Sequence, residues 1–240
     1  MKKYFNISYW LRKVFVSKII QKFFSKKFLN KLVFYLIYKS NHWNRSATFD
    51  ENTQSASGPG SAPNSKQTLN ILNNLTNFLK KENIKSILDA PCGDCAWIKP
   101  LFKNNILYTG MDIVDELINK NKNTFYKFKN VNFRNEDIVS FQNFNEYEFV
   151  FLRDFFIHLP FEDIKKVINN LRKSKCKFYC FESYEKIEKN NDIIVGQHRK
   201  INFLLPPFLF DQPYFKILEQ LNEDYPDLKD NDKYLYIFKN

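Results

Sequence analysis

Glycine is scarce in this chain, which has only five among 240 residues. A nicotinamide-binding sheet needs a turn with three closely spaced glycines, because its backbone must approach the pyrophosphate of the cofactor. No stretch of the sequence has three glycines at that spacing. The scarcity therefore argues against a nicotinamide-dependent dehydrogenase.

Long apolar runs are also absent. The longest run near the start, Leu32–Tyr38, covers seven residues, whereas a membrane-spanning helix needs about 20. Lysines interrupt the other apolar residues of this region, so no secretory signal is evident. We therefore expect a cytoplasmic chain whose four cysteines, Cys92, Cys95, Cys176 and Cys180, are reduced.

Acidic residues are missing from the first 49 positions, which hold eleven Lys or Arg. The other 26 basic residues lie in residues 50–240 and are balanced there by 26 acidic residues. Affinity for nucleic acid depends on neutralising phosphates. Since residues 50–240 carry no net charge, we expect no nucleic-acid partner.

The basic segment, residues 1–49, shows the periodicity of an amphipathic helix, with lysines between its apolar residues. Two interpretations stay open. The helices cap the domain or form a homodimer contact, or residues 1–45 attach the chain peripherally to the anionic inner face of a membrane.

Strands and helices alternate through most of the remaining chain. Residues 50–66, rich in Gly, Ser and Pro, predict a loop, and residues 67–82 predict a helix. The alternation favours a mostly parallel sheet with helices on both faces, whereas the polar connection between the last two strands predicts a reversed, antiparallel C-terminal hairpin. The seven expected strands are Ser86–Ala90, Tyr108–Ile113, Val131–Arg134, Glu148–Leu152, Lys177–Phe181, Phe215–Leu221 and Lys233–Phe238.

Acidic residues follow three successive strands of this α/β domain. Asp89 ends the first strand before a tight turn at Gly93, and Asp112 ends the second strand. A carboxylate there accepts two hydrogen bonds from a ribose diol. Asp137 ends the third strand, within reach of an adenine amino group. Three acids at neighbouring strand ends therefore predict an adenosine ligand.

The run SILDAPCGDCAW, Ser86–Trp97, resembles the class I S-adenosylmethionine-dependent methyltransferases. The resemblance covers about residues 67–240 and implies a Rossmann-like fold, S-adenosylmethionine as cofactor and S-adenosylhomocysteine as product. It implies that Asp89 and the Cys92–Gly93 backbone face the amino-acid part of the cofactor, that Asp112 holds the ribose, that Ile113 packs on adenine, and that Asp137 and Ile138 read the adenine edge. Pro91 and Cys95 occupy two places where the family usually has glycine.

Further motifs resemble a narrower set of bacterial methyltransferases that often accompany capsule or surface-polysaccharide biosynthesis. They are Pro91–Asp94 with Trp97, the Ser57–Ser61 loop, Leu152–Pro160 and Gly196–Phe208. This resemblance adds Ser57, Gly58, Pro91, Trp97 and Arg153 to the expected cofactor site. It implies a sugar or another small polar group as the methyl acceptor.

His158 follows the fourth strand, where a parallel sheet presents its functional edge. A hydroxyl acceptor needs a general base, and the ordinary pKa of histidine suits that role. Asp154 would orient His158 if it opened a helix; the alternative is a capping Asp and a structural His. An anionic acceptor, such as a phosphate-type oxygen, would need no base, and Arg153, His198 and Arg199 would then supply charge complementarity. The expected acceptor-binding residues are His198, Arg199 and Asn202.

Two other functions stay open. One is N-methylation of a small amine, which needs little help from a base. The other is a non-catalytic cofactor-binding module that docks on a membrane or a glycan-assembly complex through residues 1–45. Because the sheet begins near residue 86, we expect those residues to be dispensable for cofactor binding. The two cysteine pairs have metal-like spacing, but the first lies in the cofactor turn and the second in an apolar strand, so we expect no metal.

Overall fold

A computed structural model describes residues 23–44, 55–219 and 232–240. Two helices begin at serine caps: the Ser25 and Ser65 side chains accept hydrogen bonds from the backbone N–H groups of Phe28 and Thr68. The helices are α1 Lys26–Lys39, α2 Lys66–Lys81, α3 Asp115–Phe125 and α4 Phe161–Arg172. The strands are β1 Ser86–Asp89, β2 Leu107–Asp112, β3 Val131–Asn135, β4 Phe149–Leu152, β5 Phe178–Tyr184, β6 Phe215–Leu218 and β7 Lys233–Lys239.

The seven strands form one sheet in the order β3-β2-β1-β4-β5-β7-β6. The first five run parallel, and β7 pairs antiparallel with both β5 and β6. The predicted sheet and its reversed C-terminal hairpin are therefore confirmed. β5 extends to Tyr184, three residues beyond the prediction, because its polar end pairs with the start of β7.

Helices cover both faces of the sheet, as predicted. Successive strand residues point to opposite faces, so Leu88 joins the core with α1 and α4, whereas Ile87 joins the core with α2 and α3. Leu88 is fully buried and Ile87 is 2 % exposed. Burial on both faces explains why the strands are short apolar runs.

Helix α1 is part of the domain, which corrects the expectation that the domain begins at residue 67. Its residues Val33 and Ile37 are 0 % and 1 % exposed and lie in the same core as β1 and α4. Helix α1 therefore packs on the domain, while the homodimer and membrane interpretations of residues 1–45 stay predictions. Residues 1–22 lie outside the described residues. None of the helices in the described ranges is both long and apolar enough to span a bilayer.

We expect Ile37→Ala to lower the free energy of unfolding by about 2–5 kcal/mol, because it leaves a cavity in the core. Phe28→Ala on the same helix is the control, since Phe28 is 49 % exposed and surface changes stay within about 0.5 kcal/mol. Urea denaturation measures both. Equal stability of the two variants would contradict the placement of α1.

Candidate functional site

A cavity of about 270 Å³ opens at the carboxyl ends of the parallel strands, the edge at which open α/β sheets bind ligands. Its walls come from the ends of β1, β2 and β4, from α1, and from the loop after residue 55. Fifteen of the predicted site residues line it: Ser57, Gly58, Asp89, Pro91, Cys92, Gly93, Trp97, Asp112, Ile113, Asp137, Ile138, Arg153, Asp154, His158 and His198.

The turn after β1 requires glycine at position 93. Gly93 has φ +54°, a conformation that L side chains rarely adopt, and an added Cβ would collide with Ser57 Oγ. Asn121 Nδ2 donates a hydrogen bond of 2.7 Å to the Gly93 carbonyl and holds the turn. The turn thus brings backbone close to the cavity.

Asp112 connects this turn to the end of β2. Its Oδ2 accepts a hydrogen bond from Gly93 N–H at 3.1 Å, and its Oδ1 accepts one from Val114 N–H at 2.9 Å. Burial raises the pKa of Asp112 to about 6. Each carboxylate oxygen has a second lone pair, so the ionised group can still accept the two hydrogen bonds of a ribose diol.

The other two predicted acids, Asp89 and Asp137, line the same cavity as Asp112. Asp89 accepts a hydrogen bond from the Tyr108 hydroxyl, and burial raises its pKa to about 7. Asp137 Oδ1 accepts a hydrogen bond of 3.0 Å from Val139 N–H, and burial raises its pKa also. All three acids that the sequence placed at strand ends therefore meet in one cavity.

The raised pKa of Asp112 makes ligand affinity depend on pH. A diol donates hydrogen bonds to the ionised carboxylate, so affinity for S-adenosylhomocysteine should fall as the pH drops below about 6. We expect a dissociation constant roughly tenfold higher at pH 5 than at pH 7, with Asp89 adding to the effect. Calorimetry across this range measures it, and Asp112→Asn should show a smaller change. Equal affinity at pH 5 and pH 8 would contradict the prediction.

The loop from Ser55 to Ser61 covers one side of the cavity. Asp94 accepts hydrogen bonds from Ser55 Oγ at 2.9 Å and from Ala56 N–H at 2.7 Å. At the other end of the loop, Arg153 donates to Gly60 O at 2.7 Å and to Ser61 Oγ at 3.1 Å. The loop is therefore held at both ends against the site.

Four charged groups form a buried network beside this loop. Arg153 pairs with Glu219 at 2.6 Å, and Lys233 pairs with the same Glu219 oxygen at 2.6 Å and with Asp154. Burial opposes charge on Lys233, but Asp154 and Glu219 outweigh it and raise the pKa of Lys233. The two cations are thus neutralised by two carboxylates.

The predicted contact between Asp154 and His158 is wrong. Asp154 has φ +53° and opens no helix; a short 3-10 turn, Phe156–His158, follows instead. The Asp154 carboxylate contacts Lys233 and Arg153. Their positive charges attract it more strongly than a neutral imidazole can, and they outweigh burial to lower the pKa of Asp154.

His158 is oriented by the backbone. Its Nδ1 lies 2.9 Å from the Gln197 carbonyl oxygen, and because a carbonyl can only accept, Nδ1 carries the proton and Nε2 does not. Burial lowers the pKa of His158 to about 4. The ring therefore stays neutral at pH 7 and its Nε2 can accept a proton, but the lowered pKa makes it a weaker base than an ordinary histidine. The ring centroids of Trp43 and His198 lie 4.4 Å and 5.6 Å from the centroid of the His158 ring.

Two predicted acceptor-binding residues lie away from the cavity. Arg199 packs its guanidinium on the Phe161 ring and donates to the Phe156 carbonyl at 3.1 Å. Asn202 Oδ1 accepts a hydrogen bond from Leu204 N–H at 3.0 Å. Both side chains hold the loop of residues 190–210 in place, whereas the neighbouring His198 lines the cavity.

Sequence reasoning missed the contribution of α1 and the segment after it. Asn30, Phe34 and Tyr38 recur every four residues and line the cavity, as does Trp43. The four-residue spacing identifies them as one helix face, but it does not show what that face covers. Three charged lining residues were also absent from the predicted set: Asp94, Glu136 and Lys233, the last of which comes from the reversed hairpin.

The four cysteines form no common site. Cys92, Cys95 and Cys180 lie in the core beneath α2 and α3, whereas Cys176 lies in the core on the other face. All four are buried free thiols. Within the described ranges, no three His, Cys, Asp or Glu side chains converge as metal ligands do.

Comparisons with known proteins agree with this geometry. Residues 87–174 match a family model described as a methyltransferase domain. No curated protein matches the sequence. One similar structure is the N-methyltransferase NodS from Bradyrhizobium japonicum WM9 in complex with S-adenosyl-L-homocysteine, at 13% identity and a TM-score of 0.58, over 85% of this chain and 97% of that one.

Two further structures share the fold. The methyltransferase domain of bacterial CtHen1 aligns at 13% identity and a TM-score of 0.53, over 73% of this chain and 100% of that chain. PH0226 from Pyrococcus horikoshii OT3 aligns at 15% identity and a TM-score of 0.51, over 73% and 92% of the two chains. At these identities the similarity establishes a common fold and leaves the acceptor undetermined.

Proposed function

We propose that this chain, an S-adenosylmethionine-dependent methyltransferase, methylates a hydroxyl oxygen of a sugar or a similar small polar acceptor. The observation that carries the proposal is the state of His158: neutral, with Nδ1–H donated to a carbonyl and Nε2 unprotonated. An enzyme that methylates a neutral amine needs no such base.

We assign one group of cavity residues to the cofactor and another to the methyl acceptor. Asp112 holds the ribose, and Asp89 with the Gly93 turn faces the amino-acid part of the cofactor. When bound, the cofactor supplies an electrophilic methyl group on its sulfonium. The turn that only glycine fits and the buried carboxylates agree with this ligand.

His158 acts on the acceptor. Its Nε2 accepts the proton that the acceptor hydroxyl loses as the new carbon–oxygen bond forms and the carbon–sulfur bond of the sulfonium breaks. S-adenosylhomocysteine is the leaving group, and the proton then leaves to solvent. The Gln197 carbonyl keeps the ring in this tautomer and stabilises the imidazolium that forms. Trp43 packs against the ring and keeps water from it, which favours transfer to the acceptor.

The charge balance of the cavity argues against an anionic acceptor. Among the described residues, Lys233 and Arg153 are the lysine and the arginine that line the cavity; Arg153 pairs with Glu219, and Lys233 pairs with Asp154. A phosphate-type acceptor would need cations that are not already neutralised. A role in capsule or surface-glycan biosynthesis is supported by the resemblance of the Pro91–Asp94 motif and its accompanying loops.

The test is a screen of glycans, nucleotide sugars and small amines with the full chain and labelled S-adenosylmethionine. Release of S-adenosylhomocysteine identifies an acceptor, and NMR of the product identifies the methylated atom. We expect a methyl ether. An N-methyl product would replace the oxygen assignment, and cofactor binding without turnover on any acceptor class would favour a non-catalytic module.

A further inference from the structure

Asn30 is a buried polar side chain that faces the cavity. It is 3 % exposed and lines the cavity from α1. Its amide makes no hydrogen bond to any of the described residues, although an asparagine carries two donors and an acceptor. The amide atoms reach the cavity and are not enclosed in the core, so they are free to hydrogen-bond a ligand there.

Ion pairs place this residue over the adenine side of the site. Lys26, one turn earlier, pairs with Asp163 at the start of α4, at 2.5 Å. Lys31, the next residue, pairs at 3.2 Å with Asp115, which lies two residues after Ile113. Asn30 therefore lies between the starts of α3 and α4, at the part of the cavity that Ile113 and Asp137 line.

We propose that Asn30 reads the adenine base of the cofactor through its amino group and N7. An asparagine amide matches this pair, with Oδ1 accepting from the amino group and Nδ2 donating to N7. Asp137 cannot replace it, because an ionised carboxylate has no donor for a ring nitrogen. The second N–H of the amino group is left for Asp137, whose Oδ1 already accepts from Val139.

The N-terminal helix is therefore a base-recognition element and not only a cap. Phe34 lies one turn after Asn30 on the same face of α1 and also lines the cavity. The amide supplies hydrogen bonds in the plane of the base, and the phenyl ring supplies apolar surface. This inference rests on the adenosine cofactor, and its test separates the two.

The test is calorimetry of the full chain and Asn30→Leu with S-adenosylhomocysteine and with its 7-deaza analogue, which lacks N7. We expect Asn30→Leu to bind S-adenosylhomocysteine about tenfold or more weakly. In the wild type the 7-deaza analogue should bind more weakly than S-adenosylhomocysteine, and in the variant this preference should disappear. An unchanged preference in Asn30→Leu would overturn the proposal.

The melting temperature of ligand-free Asn30→Leu distinguishes a role of Asn30 in adenine recognition from a role in packing. Leucine has the same branched shape, and the Asn30 amide makes no hydrogen bond to the described residues that the change would break, so the melting temperature of the ligand-free variant should not fall. Asn73→Leu on the exposed face of α2 is the matched control and should change neither affinity nor preference. A lowered melting temperature with unaltered 7-deaza preference would assign Asn30 to packing. Failure of the wild type to bind S-adenosylhomocysteine would instead refute the assignment of S-adenosylmethionine as the cofactor.

Discussion

Replacing Asp112 with alanine is expected to abolish measurable binding of S-adenosylhomocysteine. The carboxylate is 3 % exposed and already organises the Gly93 and Val114 backbone. Each hydrogen bond to a charged group contributes about 1.5–3 kcal/mol, so losing two to a ribose diol weakens binding on the order of 10²–10⁴-fold. Calorimetry measures the loss directly.

Two controls make this result specific. Asp211→Ala removes an exposed carboxylate and should bind with wild-type affinity. Asp112→Asn keeps the shape of the side chain but presents an amide donor to one of the backbone N–H groups, so it should also bind weakly while remaining folded. Wild-type affinity in Asp112→Ala would remove the ribose assignment from this residue.

Replacing His158 with alanine is expected to lower turnover by about 10²–10⁴-fold, the usual contribution of a positioned base. Affinity for the cofactor should stay nearly unchanged, because the assigned ribose and adenine contacts lie elsewhere in the cavity. His158→Gln keeps a polar side chain without a titrating base and should be similarly slow. Asp211→Ala, at an exposed residue outside the cavity lining, is the control and should retain turnover.

The pH profile distinguishes a base from a binding group. Burial lowers the pKa of His158 to about 4, so the neutral form dominates above pH 6, and with the cofactor kept saturating at each pH the wild-type rate should be level there. The rate should fall as the pH drops towards 4 and the base is protonated, and the alanine variant should lose this dependence. A loss below roughly tenfold with an unaltered profile would mean that the acceptor arrives already ionised.

The sheet and the cofactor turn were predictable because their determinants are local. Strand–helix alternation sets the layers, and the positive φ of Gly93 favours glycine in the turn that follows the first strand. Asp89, Asp112 and Asp137 each end a strand, and the ends of parallel strands converge by topology alone. The predictions that failed depend on partners distant in the sequence. Asp154 contacts Lys233, 79 residues away, and His158 contacts Gln197, 39 residues away.

Helix α1 shows the same difference between what the local sequence predicts and what contacts with distant residues decide. Its amphipathic pattern by itself determines that one face is buried, since apolar residues recur with the helical period. Only tertiary structure decides that this face covers the cofactor cavity, because Val33 and Ile37 pack into the core that β1 and α4 share. Periodicity predicts which face of a helix is buried. The surface against which that face packs depends on contacts between residues far apart in the chain.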